Sequence, residues 1–348
     1  MAENTKIEWA HHTFNPWIGC TKVGPGCDHC YAETLATSRL GVIWGNEGER
    51  RRTAASTWKQ PRRWNNRAAA RGVRERVFCA SLADVFDNRA DPAVRAELFQ
   101  LIRETPQLDW LLVTKRIGNA AAMAEAAGGM PENVWLGATI VNQEEANRDI
   151  PKLLATPASV RFLSMEPLLG PVDLEVAWHG ENALYSECWG DCSWCKNGHP
   201  PLHNCAAGRQ SEADWMKARS GLDWVIVGGE SGPGARPMHP DWARQLRQQC
   251  ADAGVPFLFK QWGEWREWDD GNGNPEPEEV EDDSEYADMV YASAIRPALI
   301  SADGSVYSRD ELPEEVPCRL VERVGKRVAG RLLDGVEHTA FPGEVTHG

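Results

Sequence analysis

From residue 77 onward, short apolar runs alternate with longer segments of helical period. Residues 77–80, 110–113, 134–138, 160–163, 224–227 and 257–259 are each nearly continuous in apolar side chains. Each run closes on polar residues at its C-terminal side: Ser81 to Asp84, Thr114-Lys115-Arg116, Thr139 to Asn142, Ser164-Met165-Glu166, Gly228-Gly229-Glu230 and Lys260-Gln261. Helical segments are expected over residues 31–40, 93–105 (behind the start signal Asp91-Pro92), an Ala-rich stretch after Arg116, 144–154 and 239–253. Continuous runs of this length alternating with helices predict an α/β fold whose parallel strands are buried on both faces. Six such strands follow residue 77, and residues 13–18 supply a possible seventh. The expected architecture is a partial (β/α) barrel of six to seven parallel strands.

In barrels of this kind the functional side chains sit at the C-terminal ends of the strands. That rule places Cys20, Asp84, Lys115, Arg116, Asn142, Glu166, Glu230 and Lys260 on one rim. A doubly wound open sheet would collect the same residues along one edge. Taken singly, each of these polar residues reads as a cap or a turn; six strand ends with the same kind of ending point to a site.

Ahead of the sheet lies NPWIGCTKVGPGCDHCYAE, residues 15–33. It carries Cys20, Cys27 and Cys30 in a C-x6-C-x2-C spacing, with glycines that let the backbone turn between the sulfurs. Three thiolates on one short loop suit a metal centre, and three is one fewer than a closed structural zinc site uses. Two readings stay open on spacing alone. One is a zinc knuckle completed by His29 or a distant residue. The other is an iron–sulfur cluster with one iron left free for a ligand.

Composition narrows the class. The chain has 348 residues, 42% hydrophobic and 25% charged, ordinary for a soluble globular protein. The N-terminal residues do not read as a signal peptide, and no apolar stretch is long enough to span a membrane, so a cytoplasmic protein is expected. Ten cysteines in that setting argue for metal ligation rather than disulfides. The net charge of −14 is unevenly spread. Residues 264–288 hold twelve acidic side chains against Arg266 alone, which leaves about −3 for the rest of the chain. Residues 49–76 carry ten Lys or Arg against Glu49 and Glu75. With Trp44, Trp58 and Trp64 interleaved, residues 41–76 read as a basic, irregular segment. It is either a phosphate grip with stacking surfaces or a solvated face with Trp anchors in the core.

Two segments interrupt the period. The insertion at 175–222 contains Cys188, Cys192, Cys195 and Cys205, with His199 and His203 nearby. Four thiolates can close a structural zinc site, with an auxiliary iron–sulfur cluster as the alternative. The 264–290 stretch, rich in like charge, reads as a mobile solvated loop. The expected organisation is a core over 1–263 with the 175–222 metal-binding insertion, the acidic loop over 264–290, and a small C-terminal extension over 291–348. Gly325 and Lys326 read there as turn and surface residues.

Several motifs in order resemble a radical-SAM-like family encoded by phage and prophage genomes. They are FNPWIGCTKVGPGCDHCYAE, SLADVFD, LLVTKR, VWLGATIVNQE, RFLSMEPLLGP, WVIVGGESGPGARPM and FKQWGEW, covering roughly residues 3 to 270, plus KRVAGRLLDG. The resemblance implies a [4Fe–4S] cluster on Cys20, Cys27 and Cys30, with S-adenosyl-L-methionine on the open iron and a flavodoxin- or ferredoxin-type electron donor. It implies cofactor contacts from Tyr31, Ser81, Asp84, Thr139, Asn142, Gly228, Gly229 and Glu230. Glu166, Lys115 and Lys260 are the expected catalytic residues, with Arg116 beside them for anionic groups. The chain departs from the usual C-x3-C-x2-C spacing, and its Gly-Gly-Glu comes late rather than after the second strand. Cys188, Cys192 and Cys195 copy the usual spacing, but they sit in an insertion rather than after a first strand. The expected substrate is a nucleoside or DNA base, such as a hypermodified thymine that would be isomerised, in the cytoplasm of a phage host. The rival expectation is a zinc-binding nucleic-acid module without catalysis.

Overall fold

The computed structural model describes residues 3–177, 183–184, 221–269, 291–313 and 316–343. The chain enters through two short strands, β1 (His12–Thr13) and β2 (Trp17–Ile18), and the cysteine loop leads into α1 (Tyr31–Leu40). Strand β3 (Arg51–Arg52) pairs antiparallel with β2. Helices α2 (Ala55–Trp58) and α3 (Gln60–Arg71) follow, and then the alternation begins. It runs β4 (Glu75–Cys79), α4 (Pro92–Arg103), β5 (Leu108–Thr114), α5 (Ile117–Ala126), β6 (Val134–Thr139), α6 (Gln143–Ala155) and β7 (Val160–Met165). After the insertion come β8 (Trp224–Gly228), α7 (Pro240–Ala253) and β9 (Phe257–Gln261).

Seven strands form one parallel sheet in the order β1-β4-β5-β6-β7-β8-β9, curled into a partial barrel. The six strands expected after residue 77 are all present. The seventh is β1 alone, because Trp17–Ile18 turns away to pair with β3.

Burial explains why the apolar runs are continuous. Trp110, Leu112, Leu163, Val225 and Val227 face the helix layer and join its core. The alternate residues Leu111, Phe162, Trp224, Ile226 and Leu258 pack with Trp9 and Phe341 on the concave side. A strand covered on both faces is apolar through its middle, and polar side chains such as Glu75, Asp109 and Arg161 sit near the strand starts, where they find partners. Fully burying one of the apolar side chains is worth roughly 1.5–3 kcal/mol, so both layers contribute strongly.

The helix starts follow their caps. Asp91 accepts from the Ala93 amide at the head of α4, Asn142 from Glu145 at α6, and His239 from Asp241 at α7. The basic segment departs from its reading as irregular. Residues 60–71 form helix α3, with Pro61, Trp64 and Ala68 turned inward. Twelve residues dominated by Arg and Asn conceal that narrow apolar stripe, which tertiary packing rescues.

The C-terminal part is a second, antiparallel sheet in the order β10-β13-β11-β12. It comprises β10 (Trp265–Glu267), β11 (Pro297–Ser301), β12 (Val306–Tyr307) and β13 (Cys318–Arg323), and α8 (Lys326–Ala329) follows. Strand β10 falls inside the 264–290 stretch that reads as a solvated loop, because Trp265 to Glu267 pair with β13, so this unit takes one strand from the start of that stretch. The chain then returns to the barrel: Trp224 donates its indole N–H to Ala340 O, and Phe341 packs against the Trp224 ring at 5.1 Å. Among the described residues no helix is long and apolar enough to cross a membrane.

Candidate functional site

A cleft of about 560 Å³ opens at the C-terminal ends of the parallel strands. Phe78 and Val113 form part of its floor and rest on the concave apolar layer, so the lower barrel is packed and the upper barrel is open. Cys20, Cys27 and Cys30 all line it, and all three are free thiols. Gly19 turns the chain into the loop at φ +122°, where a Cβ would stand 2.7 Å from Glu49 O. Pro25–Cys27 forms a single 3-10 turn, and Cys30 is the residue just before α1.

Two arginines fasten this loop to the strand ends. Arg116, after β5, donates through Nη2 to Thr21 O at 2.7 Å and through Nη1 to the Cys20 sulfur at 3.3 Å. The same Nη1 reaches Asp84 Oδ2 at 3.0 Å. Asp84 also receives Thr114 Oγ1, Phe86 N and Lys115 N. Burial pushes the Cys20 thiol up to about 11, with Asp84 adding to the effect and Arg116 opposing it. Arg236, beyond β8, binds Glu230 through Nε and Nη2, Asp28 through Nη1 and Pro25 O through Nη2. His29 Nδ1 meets the same Glu230 at 3.1 Å. Burial would raise the Glu230 carboxyl, but the bonds from Arg236 and His29 hold it below its usual range.

The remaining predicted residues divide between the cleft and the scaffold. Glu166 and Lys260, at the ends of β7 and β9, meet in the cleft at 2.7 Å. Tyr31 donates its hydroxyl to Ser81 O, and Ser81 Oγ accepts from Asn15 Nδ2, which steadies the segment after β4. Thr139, Lys115, Gly229 and Glu230 line the cleft. Asn142 does not; it caps α6. Gly228 also lies off the cleft and gives room to Glu166, whose Oε1 would stand 2.9 Å from a Cβ there. Cys188, Cys192, Cys195 and Cys205, and with them the second metal site, lie outside the described residues.

Sequence reasoning missed three features. Arg236 sits inside the quoted GGESGPGARPM motif, but its partner Asp28 is 208 positions away. Lys326, which reads as a surface residue, is exposed and also stands in the wall of the cleft. Six of the ten cations of the basic 49–76 segment are matched by acids: Arg50 with Asp87, Arg52 with Glu97, Arg62 with Glu104, Arg67 with Glu3, Arg71 with Glu75 and Arg74 with Asp109. Trp58 and Trp64 are buried there as anchors.

A single metal ion needs its ligand atoms gathered at about 2.0–2.3 Å. Among the described residues no group of three His, Cys, Asp or Glu side chains is so gathered. A cluster takes each thiolate on a different iron, so its ligands stand apart. Cys20, Cys27 and Cys30, three free thiols lining one cleft, are a donor set that suits such a cluster.

No curated protein matches the chain. Among solved structures, the chain is similar to a spore photoproduct lyase double mutant with bound AdoMet and dinucleoside spore photoproduct. That similarity has a TM-score of 0.34 and 12% identity, over 90% of this chain and 69% of the other. A family model described as a protein of unknown function, DUF5131, matches residues 4–342. The match spans almost the whole length, and the chain belongs to that family.

Proposed function

We propose that the protein is a radical S-adenosylmethionine enzyme whose [4Fe–4S] cluster is held by Cys20, Cys27 and Cys30. The observation that carries this reading is the meeting of three free thiols from one loop in a single cleft at the C-terminal ends of a parallel sheet. Three thiolates on a four-iron cluster would leave one iron for a further ligand. When bound, the cluster would supply one-electron reductive cleavage of S-adenosylmethionine, with the electron coming from a flavodoxin- or ferredoxin-type donor in a reducing cytoplasm. The protein's own part is to bind, orient and exclude water. The Glu166–Lys260 pair would hold the polar end of cofactor or substrate, and Ser81, Thr139 and Tyr31 would line the approach.

We extend the proposal to a nucleoside or DNA base as the substrate, in a phage setting. The cleft volume lies within the roughly 300–1,000 Å³ of small-molecule sites. Trp44 and Phe78 offer stacking surfaces, and Lys6, Lys115 and Lys326 offer charge for a phosphate. The arginines of 49–76 contribute less, since six of them are matched by acids. Cys188, Cys192, Cys195 and Cys205 would hold a structural zinc.

Anaerobic reconstitution tests the enzyme class: a brown protein with about four irons per primary cluster is expected, together with 5′-deoxyadenosine after reduction. A colourless protein that takes up only zinc would refute it, and salt-sensitive DNA or RNA binding in that form would establish the non-catalytic zinc module instead. Mass spectrometry of viral DNA nucleosides, with and without the protein, tests the substrate; identical profiles refute the DNA-base reading.

A further inference from the structure

Resting on the cluster reading above, we propose that Arg116 is a positioning residue that donates a charged hydrogen bond to the Cys20 sulfur and raises the reduction potential of the cluster. The geometry leaves Arg116 little else to do. Its side chain is 10% exposed, and its Nη atoms are committed to Cys20, Asp84 and Thr21 O. A guanidinium tied in this way is not offered to a substrate anion, which removes Arg116 from the anion-binding role its rim position suggests.

The effect on the cluster follows from charge. Reduction adds an electron that is shared with the ligand sulfurs. An N–H donor and a positive charge at one sulfur stabilise the reduced form more than the oxidised form, so the potential rises. Asp84 acts in the opposite sense, but four donors spread its charge, Arg116 among them. Removing the guanidinium therefore has two consequences of one sign. The sulfur loses its donor, and the nearby carboxylate loses its counter-charge.

The experiment is a redox titration of the reconstituted protein followed by electron paramagnetic resonance. Cluster content of the wild-type protein is measured first, and a wild-type protein that takes up no iron refutes the enzyme proposal before Arg116 is touched. With cluster content equal to wild type, R116M is expected to shift the one-electron reduction equilibrium about ten-fold or more toward the oxidised form, or about 59 mV downward. R116K, which keeps the charge without the planar fork, is expected between the two. The R116M shift is expected to be smaller in a D84N background than in the wild type, because no carboxylate is then left to lose its counter-charge. Equal potentials in wild type, R116M and R116K would overturn the proposal.

Discussion

Replacing Arg236 with Met should release the cysteine loop from the barrel. Four side-chain hydrogen bonds are lost, two to Glu230, one to Asp28 and one to Pro25 O. Glu230 is only 6% exposed and keeps just the backbone N–H of residue 236 and the His29 ring. Stripping the partner from a fully buried pair costs about 3–5 kcal/mol. Arg236 is 32% exposed, so water reaches the site and lowers that figure. The Asp28 end is 53% exposed and adds little. The expected loss is about 2–3 kcal/mol, read as a fall in the urea midpoint at unchanged slope. Amide hydrogen exchange over residues 20–30 should quicken by about 30-fold or more, since each 1.36 kcal/mol is a factor of ten. R236K should recover part of the stability but not the span between Glu230 and Pro25. Unchanged loop exchange, with a stability loss under about 0.5 kcal/mol, would refute the view that Arg236 clamps the loop.

Other outcomes follow from the same geometry. Gly229→Ala places a Cβ 1.9 Å from Trp262 O, and because the obstruction is backbone the cost should be at least about 3 kcal/mol, visible as lost soluble yield or a lower Tm. Burial lowers the His239 pKa to about 4, so the folded state favours the neutral ring. The unfolded chain binds the extra proton between about pH 6.5 and 4, so stability should fall with pH across that window by at most about 1.4 kcal/mol per unit. His239→Asn keeps a cap for α7 and should flatten that slope in chemical denaturation at several pH values. Cys20→Ser should abolish the primary cluster's absorbance and S-adenosylmethionine cleavage, while Cys192→Ser removes a separate metal and spares cleavage. The reverse pattern would exchange the roles of the two cysteine loops. Glu166→Gln leaves Lys260 without its counter-charge and should weaken S-adenosylmethionine binding in calorimetry, with iron content unchanged.

Much of the scaffold was legible because its signals are local. A strand covered on both faces is nearly continuous in apolar side chains, so β4 to β9 announce themselves without any partner in view. Asp91 marks a helix start for the same reason, since a cap acts within three residues of itself. Helix α3 was hidden because only Pro61, Trp64 and Ala68 turn inward, and its arginines find their acids elsewhere in the chain.

By itself the sequence determined a parallel α/β sheet and the set of residues that end its strands, because period and burial are properties of neighbouring positions. It also determined that three cysteines share one loop. The tertiary structure decided which of those residues meet. Arg116 reaches Cys20 across 96 positions and Arg236 reaches Asp28 across 208, while Asn142 is spent on a cap and Lys326 comes back to the cleft from beyond β13. Such contacts have no signature along the chain: a charged side chain reads the same in sequence whether it faces water or a sulfur, and only the folded backbone sets the distance.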